Sequence, residues 1–138
     1  MGARSKARKR ALDVLFEADQ RGLNVTQALE ARIADPGVET PLPAYAIQIV
    51  AGVVEHWQEI EAAMTAHSEG WTIARMPAVD RAALRLATWE ILFNDDVPDA
   101  VAVDEAVELA RSLSTDESPV FVNGLLGRIV DLKPTLLA

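Results

Sequence analysis

Few side chains in this 138-residue chain are arranged for covalent chemistry. Asp104, Glu105 and Glu108 offer a carboxylate pair at i, i+4, but no histidine lies close in sequence and the surrounding composition is that of a solvated helix face. His56 and His67 stand without the His-Glu-x-x-His spacing that places two imidazoles on one zinc ion. Gly124 and Gly127, in Gly-Leu-Leu-Gly-Arg, lack the lysine and hydroxyl of a phosphate-binding loop, and Ser5, Ser112, Ser114 and Ser118 have no base partner at a recognisable offset. The chain has no cysteine, which removes thiolate catalysis, disulfides and sulfur-ligated metals together. The expectation is a protein that is not an enzyme, with no metal and no cofactor.

Binding chemistry is better represented. The first ten residues hold Arg4, Lys6, Arg8, Lys9 and Arg10 and no acid, so the chain's net charge of −8 divides into +5 there and −13 in the rest. Such a split points to local contact with a polyanion, although a sequence pI of ≈ 4.7 argues against nucleic acid when read alone. The bland alternative is a solubilising terminus. Against it, cations at the positive end of a helix dipole cost stability, and a docked anion relieves that cost. Five phosphate contacts to a single strand would give a slope of log K on log salt of roughly −3.5, a modest interaction that needs a partner to become tight.

The second binding candidate is Thr115-Asp116-Glu117-Ser118-Pro119-Val120-Phe121-Val122-Asn123-Gly124. Ser118 as N-cap and Pro119 at the first helical position would leave backbone N–H groups pointing outward beside an aromatic and an amide. These can cradle a phosphate, or stack on and read an unpaired base. The competing reading is that Phe121 is core and Asn123 merely solvated.

The elements that must carry these residues are helical throughout. A first helix is expected from about Arg4 to Arg21, with Ala7, Ala11, Val14, Leu15 and Ala18 inward and Gly22 as its stop, so the cations belong to its opening turns. A short helix follows, from Thr26 as N-cap to about Ala34, and Asp35-Pro36-Gly37 opens a loop to Pro43. A third starts at Pro43 with Ile47, Val50, Val54 and Trp57 inward, then runs on or bends through Ile60 and Met64 toward His67. Ala78 to Phe93 is apolar nearly all round, with Arg81, Arg85 and Thr88 in one narrow polar stripe, and belongs in the middle of a bundle. Asp80, Arg81 and Arg85 would face a protein partner or water. A sixth helix carries Val103, Ala106, Val107, Ala110 and Leu113; a seventh carries Phe121, Val122, Leu125, Leu126 and Ile129 and cannot pass Pro134. The fold class is therefore all-α, a compact bundle of six or seven helices forming a single domain over residues 1–138. No apolar run approaches the ~20 residues of a membrane span and no signal-peptide core follows the basic start, so no membrane association and a cytoplasmic location are expected.

Three stretches together resemble the NusB family of transcription antitermination factors. They are Arg8-Lys9-Arg10-Ala11-Leu12-Asp13-Val14-Leu15-Phe16-Glu17-Ala18-Asp19, then Val79-Asp80-Arg81-Ala82-Ala83-Leu84-Arg85-Leu86-Ala87-Thr88-Trp89-Glu90-Ile91-Leu92, and the C-terminal third. In that third, Val97-Pro98 leads to Val103-Asp104-Glu105-Ala106-Val107-Glu108-Leu109-Ala110-Arg111 and Phe121-Val122-Asn123-Gly124-Leu125-Leu126 closes the pattern. The resemblance implies two small helical subdomains and an RNA-binding adaptor. With NusE, the small-subunit ribosomal protein ten, it would capture the boxA RNA of ribosomal leaders, so that the RNA polymerase elongation complex passes terminators. It also implies RNA contact by the basic first helix (Arg4, Lys6, Arg8, Lys9, Arg10) and by Phe121 and Asn123, and a partner-protein surface that includes Phe16 and Asp80. Two departures stand out: Ser5 and Ala7 thin the arginine run of many relatives, and Phe16 occupies a position where tyrosine is common.

Alternatives stay open at this point. A NusB-like module of a ribosomal RNA methyltransferase would need a cofactor domain and a cysteine nucleophile, which this sequence does not contain. A protein-only adaptor, or a homodimer, would tolerate loss of Lys6, Arg8, Lys9 and Arg10.

Overall fold

The computed structural model describes residues 2–138, which form seven α-helices and one 3-10 turn, with no strand among them. Helix α1 spans Ala3–Arg21, and Gly22 ends it in the left-handed region (φ 63°), its N–H returning to the carbonyls of Ala18 and Asp19. A side chain there would be strained, which is why the chain reverses at a glycine. Helix α2 spans Val25–Ala34; its cap is Asn24, whose side chain accepts from the Gln27 N–H, not Thr26 as the sequence suggested. Both are good capping types, and the one whose backbone stays extended took the role.

Helices α3 (Ala44–Glu55) and α4 (Trp57–His67) are two elements broken at His56. The His56 ring stacks on Phe93 (centroids 3.7 Å, 8° between planes) and its Nδ1 lies 2.7 Å from Glu59, so the bend is held from both sides. The inward face of α3 is Ala46, Ile49, Val50, Gly52 and Val53, whereas Ile47, Val54 and Trp57 are only half-buried. Gly52 explains the rotation: a Cβ there would overlap the Trp89 indole, so α3 meets its neighbour through a glycine rather than through its larger residues. The 3-10 turn Ile73–Arg75 lies in the connection to α5, Ala78–Phe93.

Twelve of the sixteen residues of α5 are buried, which identifies it as the central helix. It contacts α1, α3, α4, α6 (Asp99–Leu113) and α7 (Ser118–Leu136). The N-terminal subdomain is α1 to α3 packed on one another, and the C-terminal one is α4 to α7, with α5 between them. Helix α6 buries only Ala102, Ala106 and Ala110 and leaves Leu113 exposed, so its stripe is narrower than its apolar residues suggest. Helix α7 continues past Pro134 to Leu136. A proline in the last, exposed turn removes one donor and leaves a carbonyl that water can reach, a smaller penalty than in a buried helix interior. Among the described residues no helix is long and apolar enough to cross a membrane.

Candidate nucleic-acid interface

Helices α1 and α5 run antiparallel, as two ion pairs record: Arg8 meets Glu90 near one end and Asp19 meets Arg81 near the other. This arrangement decides the fate of each cation. Arg4 and Lys6 are exposed, and Lys9 and Arg10 are half-exposed. Lys9 pairs with Asp13 at 2.8 Å and Arg10 donates to the Thr40 hydroxyl and carbonyl at 3.0 Å. Exposed contacts of this kind are worth little and yield readily to a phosphate. The Arg4 guanidinium lies over the Tyr45 ring, 4.5 Å from its centroid.

Arg8 departs from the expectation of five outward cations. It is 3 % exposed, and its Nε donates to both Glu90 oxygens at 3.0 Å while Nη1 lies 3.4 Å from Glu105. Glu90 is itself 0 % exposed and also accepts from the Tyr45 hydroxyl, to which Asn94 donates at 3.1 Å. The reason is energetic: a carboxylate buried in an apolar helix must be paired, and Arg8 is the cation that α1 turns toward it. Burial first, then the hydrogen bond to Glu90, push the Tyr45 hydroxyl up to about 12. The signal for this network was legible as Glu90, a lone acid in an otherwise apolar run; its partners Tyr45 and Glu105 carried none.

Asp80 is a second correction. It is 0 % exposed and accepts from the Ser114 hydroxyl at 2.5 Å, so it presents no surface to a partner in this fold. Arg81 and Arg85 are mostly spent on internal contacts: Arg81 pairs with Asp19 at 2.7 Å and binds the Met76 carbonyl, and Arg85 pairs with Glu61 at 2.7 Å and lies over Trp57. Phe16 is half-buried against the core. Beside it, the Glu17 carboxyl is held below its usual range, chiefly by its hydrogen bond from Arg32.

At the start of α7, Ser118 is the first helical residue rather than the cap, and it is fully buried. Its hydroxyl accepts from the Thr115 N–H and donates to Ser114, which in turn donates to Asp80. Phe121 is half-buried, edge-on to Trp71 (4.7 Å, 63°), and Asn123 is exposed. Trp71 lies in the connection between α4 and α5, and nothing in the sequence signals its pairing with Phe121. The two rings line an open groove of ≈ 470 Å³ with Val120, 79 % exposed, and with Glu69, Asp116 and Glu117. Three carboxylates repel phosphate, so this groove suits a base and the α1 start suits a backbone.

The two regions are not adjacent. Glu90 marks the α1 end of α5 and Asp80 the α7 end, and ten residues at 1.5 Å each separate them by about 15 Å. Among the described residues no three metal-ligating side chains gather.

The model of the NusB family matches residues 5–131. The transcription antitermination protein NusB of Kineococcus radiotolerans is 59 % identical over the whole of both chains. Among solved structures, T. maritima NusB superposes with a TM-score of 0.81 at 34 % identity, covering 94 % of this chain and 92 % of its own. A complex of antitermination factors NusB and NusE with double-stranded RNA matches with a TM-score of 0.79 at 28 % identity, covering 93 % of this chain and 96 % of the other.

Proposed function

The chain belongs to the NusB family, and from that premise we propose that it is a transcription antitermination factor working as a non-catalytic RNA adaptor in the cytoplasm. Arg4, Lys6, Lys9 and Arg10 hold phosphates, Phe121 stacks on an unpaired base in the groove beside Trp71, and exposed Asn123, two residues on, reads a neighbouring base. NusE supplies the remaining contact area, and the pair carries boxA RNA to the elongating RNA polymerase. A NusB relative has been solved with both NusE and RNA, which supports this choice of partners. The whole chain acts as one functional unit.

The observation that carries this reading is the cationic start of α1 on an otherwise acidic body. With Arg8 turned inward, four cations remain, and the slope expected on a single strand is about −2.8. That is weak unaided affinity, and it gives NusE its role. RNA and NusE each bind more tightly in the presence of the other, by the same factor. Half-buried Phe16 stays our candidate for the protein-partner surface.

The test is a gel-shift titration with single-stranded boxA RNA at two salt concentrations, with and without NusE. NusE is expected to lower the apparent Kd for RNA. Undiminished binding by a Lys6→Ala, Lys9→Ala, Arg10→Ala variant would refute the site.

A further inference from the structure

Resting on the RNA reading above, we infer that Glu90 is a positioning residue for RNA binding: through Arg8 it fixes the rotation of the opening turns of α1 and so aims the neighbouring cations outward. Arg8 is then a structural anchor, not an RNA contact.

Three helices converge on Arg8. Glu90 of α5 takes its Nε with both oxygens, Glu105 of α6 lies beside its Nη1, and Tyr45 of α3 holds Glu90 from the other side. Ser5, one turn earlier on α1, donates to the same Glu105 at 2.6 Å. Before Leu12, α1 otherwise buries only the small Ala7 and Ala11; the larger Leu12, Val14 and Leu15 pack farther along. Methyl groups pack almost equally well over a range of rotations, whereas a guanidinium fork seated on a carboxylate does not. A buried charge pair adds little to stability compared with well-packed apolar residues; uniqueness of arrangement is the property it can add.

The rotation matters because successive residues advance by about 100° around a helix. With Arg8 pointing inward, Lys6 and Arg10 lie about 160° away on either side, on the outer face, and Lys9 lies about 100° away on the flank. A one-residue rotation would carry Lys9 inward and disperse the outer pair. One buried ion pair therefore sets the exposure of three cations that never touch it.

Arg8→Met, Glu90→Met and the double variant separate this role from its rivals. The probe is single-stranded boxA RNA with NusE, titrated at several salt concentrations, at a temperature where circular dichroism shows each variant folded. Each single variant is expected to bind about tenfold more weakly, and the double variant, whose apolar pair cannot hold one rotation, to bind no more weakly than either. If Arg8 itself gripped RNA, Glu90→Met would free it and binding would not fall, so native or tighter affinity in folded Glu90→Met overturns the inference. So does a slope about 0.7 lower in Arg8→Met than in Glu90→Met, the mark of a phosphate contact made by Arg8 itself. Native affinity in both folded single variants overturns it too, since Arg8 would then serve folding alone. If a methionine variant does not fold, Arg8→Lys and Glu90→Gln replace the pair in the same comparison, and the same outcomes support or overturn the inference. The RNA reading fails separately, when the Lys6, Lys9 and Arg10 triple variant binds as tightly as the native chain.

Discussion

The start of α1 and the start of α7 are both helix N-termini, and they lie at opposite ends of α5 with opposite charge. The first has no acid in its opening turns and three or more cations facing solvent; the second is rimmed by Glu69, Asp116 and Glu117 around two aromatic rings. A helix N-terminus alone thus predicts little about its ligand. The side chains around it would favour phosphate at one end and a base face at the other, and a strand that used both would have to span about 15 Å or more. Within α1 the contrast repeats at the scale of one residue, since Arg8 is buried in a pair while Lys9 pairs only at the surface.

The largest expected effect breaks the buried side of that contrast. Glu90→Ala leaves the buried Arg8 with only its contact to Glu105 and should cost up to about 3–5 kcal/mol of stability. Asp13→Ala, which removes the surface partner of Lys9, should cost less than about 1 kcal/mol. Chemical denaturation of both variants measures the difference, and equal costs would remove the distinction.

Next come the two ends of α5. The Lys6, Lys9 and Arg10 to alanine variant should lower the magnitude of the salt slope for boxA RNA by about 2 units. Phe121→Ala should weaken binding by about 1–3 kcal/mol, the value of one stacked base, and leave the slope where it was. A slope change in Phe121→Ala would mean that the groove handles phosphate after all.

The smallest effect concerns Tyr45, the only tyrosine, so tyrosinate absorbance reports it alone. Its hydroxyl is pushed up to about 12 in the fold, against about 10 when unfolded. A raised folded value favours the protonated form, so this contribution to stability is complete below pH ~10 and is lost as pH rises toward 12. The folded chain should show almost no tyrosinate at pH ~10.5, where the urea-unfolded chain is mostly ionised. Titration at the unfolded value in the folded chain would break the Tyr45–Glu90 link and weaken the case for the anchor.

Much of this molecule was legible in one dimension because its determinants are local. The cationic decade, the stop at Gly22, the limits of α5 at Ala78 and Phe93, and the all-helical class follow from residue type and 3.6-residue periodicity, which operate within a turn or two. The inward faces of α3 and α6 were less so, since the choice among several apolar stripes depends on what the neighbouring helix offers, as Gly52 against Trp89 shows. The site divides along the same line. That the start of α1 is basic was fixed by composition. Which cation turns inward was decided by Glu90, Tyr45 and Glu105, brought from three other helices. Asp80 likewise became an interior acceptor only when α6 set Ser114 against it. A buried charge takes the nearest partner that the packing delivers, and in this bundle those partners lie 34 to 97 residues away along the chain, beyond the reach of any local pattern.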